Sequence, residues 1–237
     1  MIPSALSVTA LTRRYGEVTA LDHITLDLRR GEVLGLIGPN GAGKTTLMQC
    51  IAGFETPDAG QVEIAGGIKV RDALFYLPDG ATPYPEQRVT RILALFAAAF
   101  GREARAATEV ASAVRLDPVA AKRAGALSKG YRRRLLLAIA LLSYQPILLL
   151  DEPFDGLDLH QVRSVSALLR KLPQEGRSLL VSVHQLTDAE RVCDRFALLA
   201  DGRLLALGSL EELRSHAAIE AGGLEEVFLA LTEPSLA

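Results

Sequence analysis

Eight consecutive residues, Gly38-Pro39-Asn40-Gly41-Ala42-Gly43-Lys44-Thr45, carry the clearest chemistry in this sequence. They fit the spacing GxxxxGK[ST]. Glycines let the backbone turn its amides inward around an anion. The apolar run Val33 to Ile37 precedes the loop, and a helical stretch, Thr46 to Gly53, follows it. The positive end of that helix points at the same anion. Lys44 is spaced to reach β- and γ-phosphates, and the Thr45 hydroxyl to ligate magnesium. The expected ligand is ATP with magnesium, held by Gly38 through Thr45 and by the adjoining Thr46.

A second constellation is Asp151-Glu152-Pro153, directly after the apolar run Ile147 to Leu150. Carboxylates at the carboxyl end of a parallel strand stand where α/β sheets place ligands. Asp151 suits magnesium, as a hard oxygen ligand. Glu152 suits the activation of an attacking water. The bland alternative is an acidic cluster stabilised by a helix dipole. The phosphate loop in the same chain favours the metal-and-water reading.

These groups need a rigid frame. Val33 to Ile37, Ile147 to Leu150 and Leu179 to Val183 read as strands buried on both faces. Helical patterns separate them, such as Leu159 to Leu172, with Asp158 as N-cap and Pro173 just past the end. Alternation of this kind predicts a parallel α/β sheet. Upstream, Leu6 to Ala10 and Ile24 to Leu28 read as strands, the latter with one wet face. The stretch from Asp79 to Gln145, rich in Ala, Leu and Arg, reads as a helical insert. The tail from His216 to Ala237 is partly amphipathic, with Val227, Phe228, Leu229 and Leu231 packing on the body. The expected organisation is one domain over 1–237: core 1–78 and 146–215, helical subdomain 79–145, tail 216–237.

The 237 residues suffice for one large core, and an apolar share of 49% excludes a disordered chain. A net charge of −2 offers no global footprint for nucleic acid. Two distant cysteines, Cys50 and Cys193, suggest a reducing compartment. No secretory signal is visible at the N-terminus. The most apolar region, Leu135 to Leu150, is interrupted by Ser143, Gln145 and Pro146, and falls short of the roughly 20 apolar residues that span a bilayer. A membrane role would need a partner to supply the span.

Leu127-Ser128-Lys129-Gly130-Tyr131, followed by Arg132-Arg133-Arg134-Leu135, resembles the LSGGQ signature of ABC ATPases. Phosphate loop, signature and acidic pair stand in that family's order, and the resemblance covers essentially the whole chain. It implies a P-loop NTPase core of parallel strands, with an N-terminal antiparallel β subdomain and an inserted α-helical subdomain. It also implies ATP hydrolysis, with Lys44, Glu152 and His184 catalytic, His184 as the switch histidine on the γ-phosphate. Tyr15 would stack on adenine. Phe154 to Asp158 would form the D-loop. A second copy, or a homologous cassette, would bind head to tail and present its Ser128 and Gly130 to the γ-phosphate.

Two positions depart from the family pattern. Lys129 replaces a glycine, placing a cation at a helix start, where the dipole disfavours it. Either the γ-phosphate across the dimer compensates, or Lys129 is simply a solvated lysine. Asp79, in Tyr76-Leu77-Pro78-Asp79, stands where the family carries a glutamine. A carboxylate there can ligate magnesium but repels phosphate. The run Arg132 to Arg134 is expected as a basic turn near bound phosphates rather than a nucleic-acid patch.

The resemblance implies the ATP-hydrolysing subunit of a transporter, at the cytoplasmic face of the inner (plasma) membrane. Separate integral membrane permease subunits would dock around Tyr84 to Phe100. The signature and the ending Leu224 to Leu229 are similar to those of bacterial exporters. Two alternatives remain at this level: a soluble ABC ATPase acting on nucleic acid or ribosomes, and a phosphate-loop kinase. No tandem cassette, coiled-coil insertion or zinc module is visible to favour the first. The kinase reading leaves the signature and His184 without a role.

Overall fold

The computed structural model describes residues 3–232. In chain order these form β1 (Ser4–Tyr15), β2 (Val18–Arg29), β3 (Val33–Ile37), α1 (Lys44–Ala52), β4 (Ala59–Ile64), α2 (Val70–Ala73), β5 (Leu74–Leu77), α3 (Val89–Ala99), α4 (Ala104–Ala113) and α5 (Lys129–Leu142). Next come β6 (Ile147–Leu150), α6 (Leu159–Leu169), β7 (Ser178–Val183), α7 (Leu186–Val192), β8 (Arg195–Ala200), β9 (Arg203–Gly208), α8 (Leu210–His216) and α9 (Leu224–Thr232).

Two sheets result. One is antiparallel, in the order β2-β1-β4. The other runs β5-β6-β7-β3-β8-β9, parallel except for the β8–β9 pair. The sequence pattern accounts for the central strands. Successive side chains on a strand point to opposite faces, so a strand covered on both faces must be apolar throughout. Leu148 and Leu150 enter one core cluster with α3, α4 and α5; Ile147 and Leu149 enter another with β1, β2 and α1. Each fully buried leucine contributes about 1.5–3 kcal/mol of transfer free energy, so packing on both faces stabilises the sheet that carries the site.

The parallel arrangement decides where chemistry can occur. The loop 38–45 leaves the carboxyl end of β3, Asp151 that of β6, and His184 that of β7. Asp79 follows β5 closely at the same edge. These strands are neighbours, so four segments distant in sequence converge. The helices α3, α4 and α5 lie between β5 and β6 in the chain, as the insert was read.

Some boundaries differ from expectation. The N-terminal strands are far longer than the short runs read from sequence. Helix α6 stops at Leu169, and Pro173 lies inside a separate 3₁₀ turn, Leu172–Glu175. Pro173 has no N–H to bond the Leu169 carbonyl and its ring crowds that oxygen, so the α-helical ladder cannot continue through it. In the tail, Val227 is buried and Phe228 and Leu231 pack on the core, but Leu229 is exposed. Residues 233–237 of the expected tail lie outside the described range.

Candidate nucleotide and metal site

Gly43 has φ +98°, and a Cβ there would lie 2.5 Å from the Ala20 carbonyl oxygen. Both facts require glycine, and together they aim the start of α1 into the loop. Lys44 is buried, and its Nζ donates to the Gly38 and Pro39 carbonyl oxygens at 2.7 and 3.0 Å. The loop thus curls around its own cation. Burial lowers the Lys44 pKa, against the opposing charges of Glu152 and Asp151. Pro39, Asn40, Gly41 and Thr45 are exposed, so the loop presents an open face to a ligand.

Asp151 is wholly buried. Its Oδ1 accepts from Ser182 Oγ at 2.6 Å. Its Oδ2 accepts from Thr45 Oγ1 at 3.0 Å and from the Tyr76 hydroxyl at 3.4 Å. These donors are neutral, and no ion pair among the described residues reaches this carboxylate. A buried anion without a countercharge is costly. Thr45 and Asp151 supply hard oxygen donors in contact, the chemistry magnesium requires. The site therefore fits a divalent cation.

Glu152 points elsewhere. Its φ of +51° is left-handed, unusual for a non-glycine residue. Its N–H donates to Ser182 Oγ at 2.8 Å, and its Oε1 lies 2.9 Å from His184 Nε2. One hydroxyl, Ser182, thus holds both members of the acidic pair. Burial raises the Glu152 pKa above the ordinary value; His184 opposes this, Asp79 and Asp151 add to it, and Lys44 opposes it. Asp79 is ion-paired with Arg133 of α5. Carboxylate oxygens of Asp79, Glu152 and Asp155 come within 4.8 Å of one another.

The structure therefore gathers Lys44, Thr45, Asp79, Asp151, Glu152 and His184 at one sheet edge. Ser128 and Gly130 stand apart: no hydrogen bond among the described residues joins them to the loop 38–45. Ser128 is the N-cap of α5, and its Oγ accepts from the Tyr131 N–H at 3.4 Å. Gly130 passes so close to the D-loop that a Cβ would lie 2.7 Å from the Gly156 carbonyl oxygen. Lys129 is paired within its own chain, its Nζ 2.6 Å from Asp155 Oδ2. That is a different partner from the phosphate inferred from sequence. Tyr15 is half exposed, with the Arg13 guanidinium 4.7 Å from its ring centroid. Arg13 is itself held by Glu55 at 2.8 Å.

Sequence reading missed Ser182, Tyr76 and the separate fates of the three arginines. A lone hydroxyl inside the apolar run Leu179 to Val183 was the available signal for Ser182. Two of the arginines do not form a surface turn. Arg133 and Arg134 are buried; Arg134 stacks on the Tyr131 ring at 4.1 Å and donates to the Arg115 carbonyl.

Comparison with known proteins identifies the family and the fold. Residues 21–155 match the family described as ABC transporter. The Nod factor export ATP-binding protein I of Ralstonia nicotianae is 35% identical over 221 residues, covering 89% of this chain and 69% of that protein. A solved ATP-binding subunit of an ABC transporter superposes with a TM-score of 0.88 at 30% identity, covering 97% of this chain and 100% of that one. A dimeric ATP-binding cassette in a post-hydrolysis state, bound to ADP and Pi, superposes with a TM-score of 0.79 at 25% identity, over 86% and 98%. This chain therefore belongs to the ABC transporter family, in which it is an ATP-binding subunit that hydrolyses ATP.

Proposed function

We propose that the chain powers export through separate membrane permease subunits, by binding two ATP between two cassettes arranged head to tail. The observation that carries the catalytic part is the split of Asp151 from Glu152, one turned to the Thr45 hydroxyl and the other to His184. Lys44 binds the β- and γ-phosphates, and Tyr15 stacks on the base. Thr45 and Asp151 would hold magnesium, which when bound would offset phosphate charge. Glu152 accepts the proton of the attacking water, and His184 orients Glu152 and contacts the γ-phosphate. The residues Gly38 through Thr46 line the phosphates, and Ser128 and Gly130 complete the site from the other cassette. Loss of the γ-phosphate then weakens the closed pair.

Export and pairing rest on likeness: one relative is named for Nod factor export, and one solved cassette is dimeric. No helix among the described residues is long and apolar enough to cross a membrane. We place the subunit at the cytoplasmic membrane face, docked through a permease rather than on nucleic acid, on the likeness to a relative named for export. We read the whole chain as one domain with core 1–78 and 146–215, helical insert 79–145 and tail 216–237.

Glu152→Gln is the test. It is isosteric and cannot take a proton. Expected are retained ATP binding, turnover reduced at least about a hundredfold, and an ATP-dependent doubling of mass on size exclusion. Wild-type turnover would overturn the role of Glu152, and a monomer at saturating ATP would overturn the sandwich.

A further inference from the structure

The helix that starts at Ser128 reaches the catalytic edge through one side chain. Arg133 is buried, 4% exposed. Its Nη1 donates to the Asp151 carbonyl oxygen at 3.2 Å, and its Nη2 donates to the Asp79 carboxylate. The Asp151 carbonyl belongs to the peptide that joins Asp151 to Glu152. The N–H of that same peptide donates to Ser182 Oγ at 2.8 Å. One peptide plane is therefore held at both ends, by α5 on one side and β7 on the other.

This peptide leads into a strained residue. Glu152 is left-handed at φ +51°, a conformation that costs a non-glycine residue roughly 1–3 kcal/mol. Such strain persists only where the surroundings over-determine it. A rotation of the peptide would relieve it and swing the Glu152 carboxylate away from its place beside His184. Both hydrogen bonds oppose that rotation.

We propose that Arg133 is a positioning residue for Glu152: it locks the Asp151–Glu152 peptide, and Asp79 serves it as counterion rather than as a metal ligand. A buried guanidinium without a partner is strongly destabilising. Asp79 supplies that partner from the far side of the helical insert, since it follows β5 and Arg133 lies in α5. Any movement of α5 against the sheet is then felt at the Glu152 peptide. The signature residue Ser128 and the catalytic carboxylate are tied through one helix. The proposal rests on the reading of Glu152 as the base.

The test uses the full chain with Arg133→Gln, Arg133→Lys, Asp79→Asn and the double variant Asp79→Asn/Arg133→Gln. Readouts are phosphate release, affinity for a fluorescent ATP analogue, magnesium dependence and melting temperature. Arg133→Gln should lower kcat about tenfold or more, since small misplacements cost that much, with nucleotide affinity within about twofold of wild type. Arg133→Lys should recover part of kcat, because an ammonium can restore one of the two contacts. Asp79→Asn alone should lower the melting temperature, and the double variant should regain it while keeping the low kcat of Arg133→Gln. If Arg133→Gln is too unstable to assay, the double variant carries the same kcat test. Wild-type kcat in a folded Arg133→Gln or in the double variant, beside an inactive Glu152→Gln, overturns the clamp alone. Wild-type turnover in Glu152→Gln overturns the underlying reading of the base instead. A magnesium requirement raised about tenfold or more in Asp79→Asn would return Asp79 to the metal; an unchanged requirement supports its role as counterion.

Discussion

His184 Nε2 lies 2.9 Å from Glu152 Oε1, so an imidazole from the end of β7 faces a carboxylate from the end of β6. For a hydrogen bond, the ring must carry its proton on Nε2. The contact orients a carboxylate whose backbone is already strained. His184→Ala should therefore lower kcat by roughly ten- to a hundredfold, within the range of a positioned acid–base group, while ATP affinity changes little. His184→Gln, which can still donate, should fall less. Steady-state phosphate release at saturating ATP decides it, and equal turnover in His184→Ala and wild type would remove the pair from the mechanism.

The same contact gives a pH prediction. Burial raises the Glu152 pKa above its ordinary 4.5, Asp79 and Asp151 push the same way, and His184 and Lys44 oppose. A base works only when ionised. Turnover should thus fall as pH drops through a midpoint above that of an ordinary glutamate. His184→Ala removes the largest opposing influence, so the acid limb of kcat should move to higher pH. A limb that moves down, or stays in place, contradicts the assigned coupling.

Lys44 gives a simpler expectation. Its ammonium is held by the Gly38 and Pro39 carbonyls and shielded from water. Charge-assisted hydrogen bonds contribute about 1.5–3 kcal/mol, so Lys44→Ala should weaken ATP binding by roughly ten- to a hundredfold. Titration with a fluorescent ATP analogue measures it. Unchanged affinity would contradict the phosphate-binding role.

Much of the frame was legible because its physics is local. The strands β3, β6 and β7 show as largely apolar runs, interrupted in β7 by Ser182, since both sheet faces are covered. The phosphate loop shows because glycine, lysine and threonine are required at fixed spacing. Strands β4 and β5 went unread: β4 alternates over Gln61-Val62-Glu63-Ile64 but is a mostly exposed edge strand, and β5 is only the four residues Leu74-Phe75-Tyr76-Leu77. The hairpin of β8 and β9 went unread although Phe196 to Leu199 is apolar and buried. Side-chain partnerships were least legible. Nothing in Arg132-Arg133-Arg134 says which guanidinium turns inward. That depends on the phase of α5 against the sheet, which only tertiary packing sets.

Lys129 and Asp155 illustrate this, and they make the last prediction. A cation at the first position of α5 opposes the helix dipole. The structure offsets it with Asp155, 2.6 Å away, while the Lys129 stem packs on Gly156. The pair is substantially exposed and contributes at most about 1 kcal/mol to folding, so its weight lies in what Lys129 is free to reach. If the γ-phosphate of a facing cassette competes with Asp155 for this ammonium, the two substitutions must act in opposite senses. Asp155→Asn releases Lys129 and should tighten the ATP-bound pair. Lys129→Gly removes the cation and should loosen it. Both are read as shifts in the concentration dependence of the dimer in a Glu152→Gln background, at low salt and again at high salt, where screening should shrink both shifts. Shifts of the same sign would mean that Lys129 serves its own D-loop and no phosphate.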